Sequence, residues 1–443
     1  MMRSMFSGVS GLRAHQTRMD VIGNNVANVN TVGFKSGRVT FQEIFSQTLR
    51  GAGAPDTTTG RGGTNPMQIG LGLDVGSVDT VMTRGSLQRT DNPTDLSIEG
   101  EGFFMCKGGS TDTFKFSRAG NFGIDKLGNL VTGSGLNVYG WQALKPGTNS
   151  EFDTESPIEA INLYSDNYRN KRIIAAQATK KAELSGNLDA SYMDKATAAL
   201  KAPPVTAPTF SVPMTVYDAL GNDYKLNIVF TKNSATGLGS TWDWDVSGAG
   251  TTSSVTTGKI DFGTNGTIDT TTNPDKVKII LTPDDGAGNN TSGTAAFPVD
   301  LDFSKITSFS NDCSVKPKAV DGYTAGSLVT FNVGADGILT GVYDNGQQQA
   351  LGQVAITGFE NPAGLQKVGN NMYIPTTNSG DFKAEKPGSN GIGTLSPGTL
   401  EMSNVDLSKE FTDMIITQRG FQANSRIITT SDEMLQELVN LKR

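Results

Sequence analysis

His15 is the one histidine of the chain, and it stands among Arg13, Gln16 and Arg18 in a stretch of helical periodicity. With no second imidazole to share a metal or relay a proton, the usual general-base and metal-ligand sets are missing. Cys106 and Cys313 lie more than 200 positions apart and outside any metal-ligand spacing, so both read as small core residues. No serine sits in the context of a nucleophile elbow. Carboxylates are left: Asp243 and Asp245 alternate along a strand, and Asp284 and Asp285 share a turn. Such pairs read as solvated surface rather than as an acid and a base flanking a reacting bond. The run Gly70-Leu71-Gly72-Leu73-Asp74-Val75-Gly76 has the wrong glycine spacing for a phosphate loop, and Ser77 to Val81 after it reads as a strand. The expectation is no enzyme, no cofactor and no metal.

What the chain does carry is the same stagger at both ends. Met5, Val9, Leu12, Gln16, Met19, Gly23 and Val26 follow a 4-3 spacing whose sevenfold series Met5, Leu12, Met19, Val26 is wholly apolar. Leu407, Phe411, Met414, Gln418, Phe421, Ser425, Ile428, Asp432, Leu435 and Val439 repeat it, again with one fully apolar series. The second pattern, from Val405 to Leu441, spans roughly 55 Å as a continuous helix, far beyond the usual globular helix. A stripe complete on one side only is not satisfied alone in water, so the two ends should pair as a coiled coil and then meet neighbouring copies. The expected assembly residues are Met5, Val9, Leu12, Met19, Val26, Leu407, Phe411, Met414, Phe421, Ile428, Leu435 and Val439.

Between the ends the text is β-like. At 443 residues, with 53 glycines and 17 prolines, the chain should form two to four domains of short strands joined by tight turns. Its net charge of −7, without a basic block, argues against nucleic acid, and no apolar stretch is long enough to span a bilayer. An apolar run of signal-peptide length is also lacking, so export, if it occurs, should proceed without a cleaved signal. Residues 31–70 read as an extended connector, with strands beginning near Leu71. Asp125 to Leu130, Asp218 to Asn222, Asn265-Gly266, Asp336-Gly337 and Asn345-Gly346 mark turns, the last three suited to type I′. Leu226, Ile228 and Phe230, then Trp242, Trp244 and Val246, alternate as half-buried strands whose tryptophans face a core. Residues 248–298 read as an exposed sheet with long loops.

Ser10-Gly11-Leu12-Arg13-Ala14, Arg18, Asn24-Asn25-Val26-Ala27-Asn28 and Thr31-Val32-Gly33-Phe34-Lys35 together resemble the N-terminal signature of the bacterial flagellar rod and hook family of axial proteins. Thr83 to Gln88, Asp95 to Ile98 with Gly102-Phe103-Phe104, and Phe116 to Phe122 are similar to segments shared by that family. Leu400 to Glu410 and the long insert from about 146 to 322 resemble its hook branch; the distal rod subunit shares both ends but is a shorter chain. The resemblance implies a multidomain, mainly β protein. Terminal helices (1–30 and 403–443) would line a tube, followed by the connector (31–70), an inner β-domain (71–145 and 323–402) and an outer inserted domain (146–322). It also implies a curved, flexible homopolymer that passes torque from rod to filament and lies outside the cell after type III export. Its implied partners are hook cap, distal rod and hook–filament junction proteins. The competing class is a secreted β-rich binding protein or carbohydrate-active enzyme. An aromatic content of only 7% and scattered acids argue against it.

Overall fold

In the computed structural model of this chain, apolar alternation resolves into two β-units and a helix pair. The structure describes residues 2–55, 60, 62–108, 113–148, 151–165, 171–201, 206–233, 239–248, 251–253, 255–270, 274–283 and 293–441. Asp284 and Asp285 lie outside the described residues. One compact unit comprises 1–168, 331–341 and 349–443, and the other 169–330 and 342–348.

The first unit holds both terminal helices, Met2–Ala27 and Leu407–Asn440. The stretch expected as a lone connector is instead paired. Gly37–Glu43 runs antiparallel to Leu73–Thr80 with a register shift at Thr40/Phe41, and Ser46–Arg50 pairs with Met67–Gly70. Strands therefore begin at Gly37, well before Leu71. Phe103–Lys107 is central to the β-layer because Phe103, Phe104, Met105 and Cys106 are all buried, as a continuous apolar run requires when both faces are covered. It pairs with Lys115–Ser117 on one edge and with Asn137–Trp141 and Ile356–Gly358 on the other. Strands from the two ends of the sequence interleave here: Leu96–Glu99 pairs with Thr394–Pro397, and Leu87–Arg89 with Thr399–Glu401. The Trp141 indole donates to the Ser156 carbonyl, and Phe152 and Ile158 join the core of this unit. Residues 151–165, read from sequence as part of the insert, fold with the first unit.

The second unit has a five-stranded and a four-stranded sheet. Val212, Leu226, Ile228, Phe230, Trp242, Trp244 and Val246 are buried with Leu184, Val299, Leu301 and Phe303 of the other sheet. The two tryptophans face that core, as their alternation predicts. Residues 248–298 are not merely an exposed sheet: Ile260, Phe262, Ile279 and Leu281 are buried in the same core. Their strand-like spacing in the sequence supplies one inward side chain in two, and the Thr/Gly/Asn-rich residues between them make up the other face.

The five turns share one geometry that differs from type I′. In each, a glycine N–H returns to the carbonyl three residues back, and that earlier residue donates to the one after the glycine: Gly346 to Tyr343, and Tyr343 to Gln347, for example. Only the glycines have positive φ, 88° at Gly128 and 77° at Gly346. That is a type I turn closed by a left-handed glycine, whereas type I′ needs two positive φ angles. The side chains of Asp125 and Asp218 each accept from two backbone N–H groups of their own turn, which explains why Asp opens both.

Candidate assembly site

The helices pair along a face only partly shared with the apolar stripe: a Cβ on Gly8 would lie 3.4 Å from Ile428 Cγ1, a member of that stripe. On the N-terminal helix the buried residues are Gly8, Gly11, Ala14, Ile22 and Asn25; on the C-terminal helix they are Thr417 and Ser431. A Cβ on Gly11 would fall 2.7 Å from Asn424 Nδ2, so the amide of Asn424 occupies the space a side chain at 11 would need. Arg18 donates to Asp413 at 2.9 Å, and Asn25 donates to Glu410 at 3.1 Å. His15 packs against Gly420 and meets the Phe41 ring edge-on at 5.7 Å, with Nδ1 unpartnered among the described residues. Burial, then the Arg18 charge, hold its imidazole below its ordinary pKa. Desolvation likewise raises Glu410 above the usual carboxylate range, although the Asn25 bond opposes this.

Most of the stripe read from sequence is thereby left for something else. Met5, Leu12, Met19 and Val26 are half-buried, as are Met414, Ile428 and Leu435. Val9, Leu407, Phe411, Phe421 and Val439 are exposed, Phe411 to 50% and Phe421 to 42%. Phe6, Ile415, Ile416 and Met434, outside that stripe, are exposed too.

The signature after the helix is a buried tie. Asn28 turns the chain by bonding Asn24 through its side chain, and Thr31 bonds Asn28; Asn24 and Ala27 face solvent. Asn25 brackets Gly37, donating to its carbonyl and accepting from its N–H. Gly33 takes φ +69° where a Cβ would stand 2.6 Å from the Ala119 nitrogen. Phe34 is buried beneath Lys367, whose ammonium lies 5.1 Å from the ring centroid and donates to the Lys35 carbonyl. Lys35 is 1% exposed, and its ammonium donates to Glu401 Oε1 at 2.6 Å and to the Thr83 carbonyl at 2.9 Å. Arg118 reaches Glu401 Oε2 at 3.4 Å and the Gly100 carbonyl at 2.9 Å. Desolvation lowers the affinity of Lys35 for its proton, and Glu401 partly restores it. Removing one member of such a buried set costs about 3–5 kcal/mol, because the others keep their charge without a partner.

Lys35 and the other signature residues are visible in the sequence, whereas Glu401, Arg118 and Asn404 are not visible as its partners. Lys35 and Glu401 stand 366 positions apart. The helix seam is missed for another reason: small residues at 8, 11 and 420 have spacing but no hydropathy. Both cysteines are free thiols; Cys106 is core, its pKa pushed up to about 12 by burial, and Cys313 is half-buried, accepting from the Asp189 N–H. Among the described residues no cluster of His, Cys, Asp or Glu could hold a metal, and no helix is long and apolar enough to cross a membrane.

Four protein-family profiles match the chain. They are described as flagella basal body rod protein (residues 5–35), flagellar hook protein FlgE/F/G D1 domain (97–170), flagellar basal body protein FlaE D2 domain (187–323) and flagellar basal body rod FlgEFG protein C-terminal (396–441). The flagellar hook protein FlgE of Treponema pallidum is 40% identical, and that of Borreliella burgdorferi 38%, each over 100% of both chains. The flagellar basal-body rod protein FlgG of Bacillus subtilis is 31% identical, also over 100% of both chains. A rod-named relative thus matches this chain throughout, so length does not separate rod from hook; the higher identities favour hook. The crystal structure of Helicobacter pylori FlgE2 aligns at TM-score 0.48 and 14% identity over 71% of this chain and 100% of that one, too distant to bear on detail. With relatives of this identity matched from end to end, the chain belongs to the flagellar hook protein FlgE branch of the hook and basal-body rod family.

Proposed function

We propose that this chain is the structural subunit of a flagellar hook, polymerising into a curved tube that transmits torque between rod and filament. One observation carries the reading. The helix pair meets largely through glycines and polar side chains, with Ile428 beside Gly8, while Phe411, Phe421, Leu407 and Val9 remain exposed beside the half-buried Met5, Leu12, Met19, Val26, Met414 and Leu435. Apolar side chains unused within the chain suit a second copy, and a heterologous contact that does not close on itself generates a helical tube. The polar surfaces of the β-units would then slide as the tube bends. The reading assigns no catalysis. It places the subunit outside the cell after type III export, with hook cap, distal rod and hook–filament junction proteins as partners.

Electron microscopy of the purified chain and of Phe421→Asp tests this. The parent should form curved tubes; the variant should form none, because an apolar contact would receive an unpaired charge. The β-units should melt as before, since an exposed substitution usually moves stability by under about 0.5 kcal/mol. Normal tubes from Phe421→Asp would remove the assigned face, and straight tubes from the parent would favour a rod subunit, as the Bacillus relative's name suggests.

A further inference from the structure

We propose that Glu401 is a positioning residue through which the segment after the N-terminal helix fixes the start of the C-terminal helix, so that the two ends order together. Glu401 is wholly buried, yet it lies only six residues before the helix that begins at Leu407. Its side chain receives Lys35 at 2.6 Å, the Gly85 N–H at 3.0 Å and Arg118 at 3.4 Å, and its carbonyl receives the Gly33 N–H at 2.7 Å. Three residues on, Asn404 Oδ1 accepts from the Ser36 N–H at 2.8 Å, while its Nδ2 donates to the carbonyls of Val81 and Thr83. Asp406 then caps the helix by accepting from the N–H groups of Ser408 and Lys409.

Residues 33–36 therefore grip 401–404 at both ends, through the pairs Gly33–Glu401, Lys35–Glu401 and Ser36–Asn404. The chemistry makes the grip conditional. Without Lys35 the Glu401 carboxylate keeps only a longer contact to Arg118 and one backbone donor, and the carbonyl of Thr83 loses the ammonium that links it to the carboxylate. Arg118 is anchored by the Gly100 carbonyl and lies 5.2 Å from the Phe103 ring centroid, so its contact to the carboxylate stays longer than that of Lys35. Gly85 closes the remaining side, where a Cβ would sit 2.0 Å from the Met402 carbonyl oxygen, so the backbone of the loop lies directly against the 401–402 strand.

The coupling deepens the assembly reading, since a tube built from both ends needs both ends set at once, but its measurement does not depend on polymerisation. Amide hydrogen exchange would be followed in the purified chain and in Lys35→Met, Glu401→Gln and the double variant. In Lys35→Met, exchange at 402–406 should speed up roughly tenfold or more, as expected when a buried charge loses its partner, while Phe103–Lys107 stays protected. The double variant should be no worse than the worse single one. Should Glu401→Gln fail to fold, Asn404→Ala supplies a neutral counterpart and should speed exchange at 33–36. Unchanged exchange at 402–406 in Lys35→Met overturns the proposal, and so does an equal loss at Phe103–Lys107, which would mark a general core effect. Tube formation by the same variants bears on the assembly reading alone.

Discussion

The imidazole of His15 occupies the space left by the missing side chain of Gly420: a Cβ at 420 would stand 2.7 Å from both Cε1 and Nε2 of the ring. On the other side the ring meets Phe41. The effect of Gly420→Ala should therefore reverse with its neighbour. With His15 present, overpacking costs about 1–3 kcal/mol and exceeds the gain of about 1 kcal/mol in helix propensity, so the pair should loosen. With His15→Ala the same substitution should tighten it. Protease resistance of the two helices in the assembled protein, across all four combinations, measures this; the same sign in both backgrounds would refute the packing.

That relationship shows what the sequence makes legible and what it hides. The 4-3 spacing of Met5, Leu12, Met19 and Val26 marks a helix and one face of it, because hydropathy alone defines a stripe. The face that meets the partner helix is displaced by one position, to Gly8, Gly11, Ile22 and Asn25, where closeness rather than greasiness is selected. Trp242 and Trp244 are legible because alternation with Asp243 and Asp245 gives the strand period directly. Leu73–Thr80 is read as a strand too, but its pairing with Gly37–Glu43 is not legible, since nothing local names a partner, and neither is the pairing of Lys35 with Glu401, which only the fold brings together.

Acid should weaken the helix junction through His15. Its pKa in the folded chain lies below the ordinary 6.5, by burial and then by Arg18, so the folded state resists a proton that the unfolded chain accepts. Stability from this residue is complete above about pH 6.5 and is lost as pH falls below that value toward the depressed pKa. Glu410 acts the other way: raised above 4.5 by burial, it takes up a proton early as pH falls, which relieves its own desolvation. The His15 loss should thus set in near pH 6 and persist at lower pH, where proton uptake by Glu410 partly offsets it. Helix content of the assembled protein against pH, in the parent and in His15→Gln, tests this, and an identical profile in both would exclude His15 as the cause.

The second unit should be removable at a defined seam. Ile173–Ile174 pairs antiparallel with Gly326–Ser327, and the Leu328 N–H donates to the Arg172 carbonyl at 2.9 Å, so the chain leaves and returns side by side. Replacing 175–325 by an Asn-Gly turn closes a hairpin that is already in register, and it spares the Tyr343 hydroxyl bond to the Lys171 carbonyl. The core of Phe103, Met105, Phe116 and Trp141 contains no residue from the deleted span, so the shortened chain should fold and melt cooperatively. Because the exposed apolar residues of the helices are untouched, it should still polymerise. The tube should be straight or irregular, having lost the surfaces of the second unit by which one row of subunits would be held shorter than another. Electron microscopy after calorimetry separates the outcomes: a folded chain that never polymerises would move the driving contacts from the helices to the second unit.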